Sequence, residues 1–146
     1  MSEHTTELTW TLESAGFGYK EYNREYDVRF AGGHTLRGSS APDFVGKAEH
    51  PNPEEMLVAA LSSCHMLTFL AVASKRGFIV ERYEDHGVGY LEKNANGKLA
   101  ITRAVLRPKI TFRDKAPDAE QLARMHETSH RECFIANSVS TVVTVE

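Results

Sequence analysis

Cysteine is scarce, with only Cys64 and Cys133 among the 146 residues. Two thiols so far apart cannot frame a disulfide-stapled scaffold, which leaves redox chemistry, metal binding or plain burial as their uses. A surplus of positive charge is also missing. Seventeen Lys and Arg stand against twenty Asp and Glu, a formal net charge of −3, so no basic field is available to attract nucleic acid. The opening MSEHTTELTW lacks the apolar core of a secretion signal. The one long apolar run, Met56 to Ala73, is interrupted by Ser62, Ser63 and His65, which makes it a poor membrane span. No internal repeat, linker or low-complexity segment is present. These absences lead to the expectation of one cytoplasmic domain over residues 1–146, with neither nucleic acid nor membrane as partner.

The clearest positive signal is the stretch Asn52–Gly77, NPEEMLVAALSSCHMLTFLAVASKRG. Asn52 suits a helix cap and Pro53 the first helical position. Glu54 and Glu55 sit where the macrodipole favours anions, and Lys75, Arg76 and Gly77 supply the stop signals. Between Met56 and Ala73 only Ser62, Ser63, His65 and Thr68 are polar. A helix this apolar all round is expected to be buried on more than one side, with part of its cover coming from a second subunit.

Around it the pattern is β. Strands are expected at Leu8–Leu12, Tyr26–Ala31 and His34–Arg37, the last two joined by a tight turn at Gly32-Gly33. Further strands are expected at Phe78–Tyr83, Gly87–Lys93 and Lys98–Arg113, the longest with a bulge or bend near Pro108. Asp118, with Gln121 in capping-box position, starts a second helix running to about Glu132. Val139–Val145 closes the chain as a strand. Strands linked by hairpins rather than helical crossovers give an α+β domain with a mainly antiparallel sheet.

Cys64 lies inside the apolar helix and Cys133 at the end of the second, so packing of the two helices would bring the thiols together. A thiol in mid-helix gains nothing from a helix N-terminus, and its activation calls for a nearby cation, an arginine. The run Asn52-Pro53-Glu54-Glu55, then Ala59-Ala60, then Cys64 ten residues after Glu54, with a second cysteine some seventy residues on, resembles the OsmC/Ohr family of osmotically inducible and organic hydroperoxide resistance proteins. The resemblance spans nearly the whole chain, because the order of elements agrees as well. It implies an intertwined homodimer and a thiol peroxidase without a bound cofactor, restored by an external dithiol. Carried over by motif, Cys64 is the peroxidatic cysteine, Cys133 the resolving one and Glu54 the activating carboxylate. Asn23-Arg24-Glu25 matches the family's arginine in the first hairpin, which selects Arg24 while Arg29 and Arg37 stay open. His65 after Cys64 and Phe134-Ile135 after Cys133 depart from the family pattern and place the chain in an outlying branch. The apolar helix favours organic hydroperoxides over hydrogen peroxide.

Ten residues of helix rise about 15 Å and turn the side chains some 80° apart. Glu54 and Cys64 of one chain therefore cannot touch, and Glu54 is expected to work through the arginine or in the partner's site. Two rival readings remain at this stage. His126-Glu127-Thr128-Ser129-His130 has the H-E-x-x-H form of a zinc hydrolase, and His126, His130 and Cys133 share one helix face, a candidate metal-binding set. His65 points about 100° away from Cys64 and is expected to satisfy a buried polar contact rather than act as its base. The second rival is a non-enzymatic dimer whose apolar cleft takes a lipid-like ligand.

Overall fold

A computed structural model describes all residues, 1–146. The chain divides into two compact units, Met1–Met56 and Leu57–Glu146. The first contains an antiparallel meander of β1 (Thr6–Thr9), β2 (Tyr26–Phe30) and β3 (Thr35–Gly38). β1 ends earlier than the sequence pattern indicates. Beyond Thr9 the backbone is taken up by Asn23, whose side chain receives Glu13 N at 2.8 Å and donates to Thr11 O at 2.9 Å. Trp10 Nε1 donates to Asn23 O at 2.9 Å. These bonds to Asn23 replace the ladder that residues 10–12 would otherwise join.

The helix α1 spans Pro53–Lys75. Its start is a capping box, with Asn52 Oδ1 accepting from Glu55 N at 2.8 Å and Glu55 Oε2 accepting from Asn52 N at 3.4 Å. Its stop is Gly77, at φ 78°, a left-handed position that a side chain disfavours. Within a single chain the helix is buried on one side. Only Leu61, His65, Phe69 and Ala73 are buried, a stripe of one residue per turn, whereas Ala59, Ser63, Leu67 and Ala71 are exposed.

The second unit continues with β4 (Ile79–Asp85), β5 (Val88–Lys93), β6 (Leu99–Leu106), β7 (Pro108–Arg113), α2 (Ala119–Glu132) and β8 (Val142–Val145). The long expected strand Lys98–Arg113 is in fact two strands in different sheets. β4 pairs antiparallel with β7, whereas β6 pairs antiparallel with β5 and parallel with β8. The break falls at Arg107, whose N–H donates to the Asp85 carboxylate at 2.6 Å instead of a ladder carbonyl. The same carboxylate accepts the Ser62 hydroxyl of α1, so the junction is pinned to the helix. Gly89 lets Val58 approach the β5–β6 sheet, since a Cβ there would lie 2.5 Å from Val58 Cγ2. The closing strand begins at Val142 rather than Val139, and the Thr141 hydroxyl just before it donates to Ile101 O at 2.7 Å.

Asp118 and Gln121 form the expected capping box of α2. Phe69 and Ala73 of α1 and Met125 of α2 make the innermost core, with Phe78, Val80, Ile110 and Phe112 packed on it from β4, β7 and the segment before them. One turn away His65 Nε2 and His126 Nδ1 are 3.0 Å apart. Their rings are nearly parallel, at 11°, with centroids 5.3 Å apart, the arrangement of two imidazoles joined edge to edge. The far face of His126 stacks on Phe69, centroids 4.6 Å apart. His65 is 1% exposed, and its Nδ1 has no hydrogen-bond partner.

Burial, with the nearby His126 and His130, lowers the His65 pKa from 6.5 to about 4. The unfolded chain therefore binds more protons than the folded one between those values. Stability should be full above about pH 6.5 and fall as pH is lowered towards 4. A His65→Gln variant, which keeps a hydrogen-bonding group but does not titrate, should show a shallower fall in urea midpoint over that window. Truncating the centre of the core, Phe69→Ala, should cost about 3–5 kcal/mol in urea unfolding.

Candidate active site

α2 meets α1 where Met125 packs on Phe69 and Ala73 and His126 meets His65. The end of α2 lies beside the middle of α1, where the Cys133 thiol hydrogen-bonds Cys64. Both cysteines are free, Cys64 half-buried and Cys133 buried. Cys133 terminates α2 by turning extended, at φ −72° and ψ 114°. The chain then folds back in the 3-10 turn. Asn137 N donates to Cys133 O at 3.0 Å, Asn137 Nδ2 to Arg131 O at 3.0 Å and Ser138 Oγ to Phe134 O at 2.7 Å. This locked turn presents its backbone N–H groups to the sulfurs, and Ala136 N donates to Cys133 Sγ at 3.4 Å.

The two thiols are driven apart in acidity. Burial alone would push Cys64 up, but hydrogen bonding from the Ile135 backbone, the Cys133 thiol, the Phe134 backbone and the Thr68 hydroxyl outweighs it and holds the Cys64 pKa below the ordinary thiol value. Cys133 moves the other way, raised first by burial and then by the neighbouring Cys64, with the Ala136 amide opposing. One sulfur is thus the better nucleophile and the other stays protonated beside it. Within this unit the groups that hydrogen-bond the Cys64 sulfur are backbone amides and hydroxyl or thiol donors. The single proton of the Thr68 hydroxyl, one turn beyond Cys64, is shared between that sulfur and the Cys64 carbonyl, whose oxygen lies 2.8 Å away.

A cavity of about 740 Å³ opens at Cys64. Leu67, Ala71, Val72 and Phe134 give it an apolar lining, with Thr68 and Thr128 as its uncharged polar contacts. Its size suits a small organic molecule.

The other residues singled out in the sequence are placed as follows. Arg24 belongs to the Met1–Met56 unit, where its guanidinium donates to the carbonyls of Tyr22 and Tyr19 and lies 3.5 Å from the Tyr22 ring centroid. Arg29 pairs with Glu7 at 2.6 Å, and Arg37 with Asp27 at 3.2 Å and Glu13 at 3.5 Å, all as exposed strand charges. Glu54 stands in the first turn of α1 and raises the pKa of Tyr26 after the larger effect of that tyrosine's burial. The metal reading of His126, His130 and Cys133 is corrected. His126 is turned to His65 and Cys133 to Cys64, and no three His, Cys, Asp or Glu side chains converge as a ligand set.

Three contributors escaped the sequence reading. Thr68 was accessible from its i+4 spacing to Cys64, whereas the amides of Phe134–Ala136 and the contact between His65 and His126 depend on tertiary structure and leave no local signal.

No curated protein matches the chain. Solved structures do. An OsmC-like protein of unknown function from Vibrio cholerae is 43% identical, with a TM-score of 0.95 over 100% of this chain and 99% of that one. An organic hydroperoxide resistance protein from Elizabethkingia anophelis shares the fold at 15% identity and TM-score 0.74, over 100% and 96% of the two chains. One from Legionella pneumophila does so at 16% and 0.69, over 100% and 98%. The model of the OsmC-like protein family matches residues 46–146, a span that contains α1, α2 and both thiols, and the chain belongs to that family.

Proposed function

We propose that this protein is a thiol-dependent peroxidase that reduces organic hydroperoxides. The observation that carries the reading is the pair of free thiols with opposed pKa shifts at an apolar cavity. In the proposed reaction the Cys64 thiolate attacks the distal oxygen of a hydroperoxide, and the O–O bond breaks. The departing alkoxide takes a proton and leaves as an alcohol, while Cys64 becomes a sulfenic acid. Cys133 sulfur then attacks Cys64 sulfur, an S–S bond forms and the sulfenic oxygen leaves as water with the proton of the Cys133 thiol. An external dithiol returns the two electrons by exchange through a mixed disulfide. The bias towards organic substrates follows from the apolar lining, which binds an alkyl or aryl group and offers little to hydrogen peroxide.

The reading extends to a homodimer. The exposed row Ala59, Ser63, Leu67 and Ala71 on α1 is nearly free of polar groups, and Leu67 is 62% exposed, a surface that a second copy can cover. Arg24 and Glu54 are proposed to complete the active site across that dimer, with Glu54 orienting the guanidinium. The small-ligand reading without turnover has the same apolar cavity in its favour, but it gives no use to the split acidity of the thiols.

Limiting iodoacetamide near neutral pH should label Cys64 well before Cys133. One equivalent of cumene hydroperoxide should then yield a Cys64–Cys133 disulfide within one chain, seen by mass spectrometry of unreduced peptides. Cys133→Ser should leave a sulfenic acid on Cys64 that dimedone traps. Equal labelling, or unchanged thiols after peroxide, would refute the peroxidase reading. For the shared site, inactive Cys64→Ser and inactive Glu54→Ala proteins should regain activity when their subunits exchange. Confirmed exchange without recovery rules the shared site out.

A further inference from the structure

A second cavity, of about 480 Å³, lies between α2 and the closing strand and shares no lining residue with the one at Cys64. Leu122, His126 and His130 border it, four residues apart on one face of α2. Val143 and Val145, alternate residues on one side of β8, border it too, with Pro108 from the start of β7. Its volume suits a small organic molecule. Volume and apolar walls do not choose a ligand, but the buried histidine pair does.

His65, with its pKa lowered to about 4, is neutral near pH 7 and holds a single ring proton. On Nδ1 that proton would be a buried donor without a partner, whereas on Nε2 it is donated to His126 Nδ1 at 3.0 Å. A buried N–H left unmade is the costlier fault, so the proton belongs on Nε2. The near-parallel rings suit that bond. His126 Nδ1 is then the acceptor. Burial lowers the His126 pKa, so this ring is neutral as well and carries its own proton on Nε2. That Nε2 has no partner within the chain and, unlike His65 Nδ1, is not sealed from solvent. The ring itself cannot swing, since Phe69 stacks on one face of it. The pair thus gives the cavity an N–H donor of fixed identity.

We propose that this cavity is a second binding site, for a neutral molecule with an apolar body and one carbonyl, a ketone, ester or amide, whose oxygen accepts the His126 Nε2 proton. Leu122, Val143 and Val145 supply the apolar contact. A hydrocarbon of the same shape would leave the donor unmade. A carboxylate is disfavoured for a different reason. Glu127 and Glu146 also border the cavity, and although Glu146 is paired with Arg107 at 2.9 Å, Glu127 takes part in none of the ion pairs of the chain. Its charge repels an anionic acceptor. The site uses neither thiol and does not rest on the peroxidase reading.

The test uses three probes with one phenyl body, namely acetophenone, ethylbenzene and benzoate, titrated into the reduced, isotope-labelled protein at neutral pH and followed by NMR. Before any probe is added, long-range proton–nitrogen spectra should show the His126 proton on Nε2. A proton on Nδ1 overturns the inference at once. Acetophenone should shift the methyl signals of Leu122, Val143 and Val145 and bind roughly three- to tenfold more tightly than ethylbenzene, the worth of one hydrogen bond. Benzoate should bind more weakly than acetophenone, and Glu127→Gln should narrow that gap. Ala123 is an exposed lining residue, so Ala123→Trp should block the cavity and abolish the shifts while the rest of the spectrum and the labelling of Cys64 stay as they were. Equal affinity for acetophenone and ethylbenzene, tighter binding of benzoate, shifts that survive Ala123→Trp, or no binding of any probe overturns the inference, and each leaves the peroxidase reading standing.

Discussion

The contact between α1 and α2 is the constraint on which the thiol site depends. Each cysteine sits on its own helix, and neither position has chemical meaning until the helices are docked in a fixed direction and register. Phe69, Ala73 and Met125 supply the apolar part of that docking, fully out of water. Apolar packing alone is tolerant of slippage, whereas a hydrogen bond is not. The His65–His126 contact, next to the packed core, acts as a register pin: a slip of one turn would separate the imidazoles and leave the buried His65 ring without a partner. The cost of keeping this polar pair inside appears as the depressed pKa of His65 and its unpartnered Nδ1.

Ionisation of the thiols follows from where each helix ends or continues. Cys64 is in mid-helix, so its own backbone offers no free donor. Cys133 is at a helix end, and the reversal that follows it exposes N–H groups no longer used by the helix. Docking places the N–H groups of the turn that follows α2 against the sulfur of α1. An N–H group is a fixed partial positive charge that needs no long side chain to be ordered, and in a half-buried setting it stabilises an anion well. Here the locked segment Phe134–Ser138 is held by Asn137 and Ser138, whose side chains bond back to Arg131 O and Phe134 O.

Much of this was legible in the sequence, for reasons that differ between elements. α1 and α2 announce themselves because their caps are local chemistry: Asn52 with Glu55, Asp118 with Gln121, and Gly77 at the stop all act over three or four residues. The meeting of the thiols was legible as a consequence of helix packing. The strand limits were less so. β1 stops at Thr9 because Asn23, more than ten residues away, captures the next backbone groups, and the long β6–β7 run breaks because Asp85 takes the Arg107 N–H. Both are side-chain captures of backbone from afar, which periodicity cannot register. The H-E-x-x-H pattern misled for a related reason. Its i and i+4 spacing is real, but the partner that claims His126 comes from another helix.

The composition of α1 can now be given a cause more specific than burial. A helix buried on a single stripe normally carries charge on the remainder, and this one carries none between Glu55 and Lys75. Yet within its own chain only one residue per turn is buried. The other faces have separate reasons to be apolar. The Cys64–Leu67–Ala71 face floors the cavity, where a charge would be repelled by or compete with an organic substrate in the proposed chemistry. The Ala59–Ser63–Leu67 row is suited to close approach by another surface, since small residues let backbones come near. Leu67 belongs to both sets. That overlap ties the proposed dimer to the proposed chemistry physically, because a second copy seated on the row would also wall the cavity, and would convert an open cavity into an enclosed one in which exclusion of water strengthens every interaction at the Cys64 sulfur.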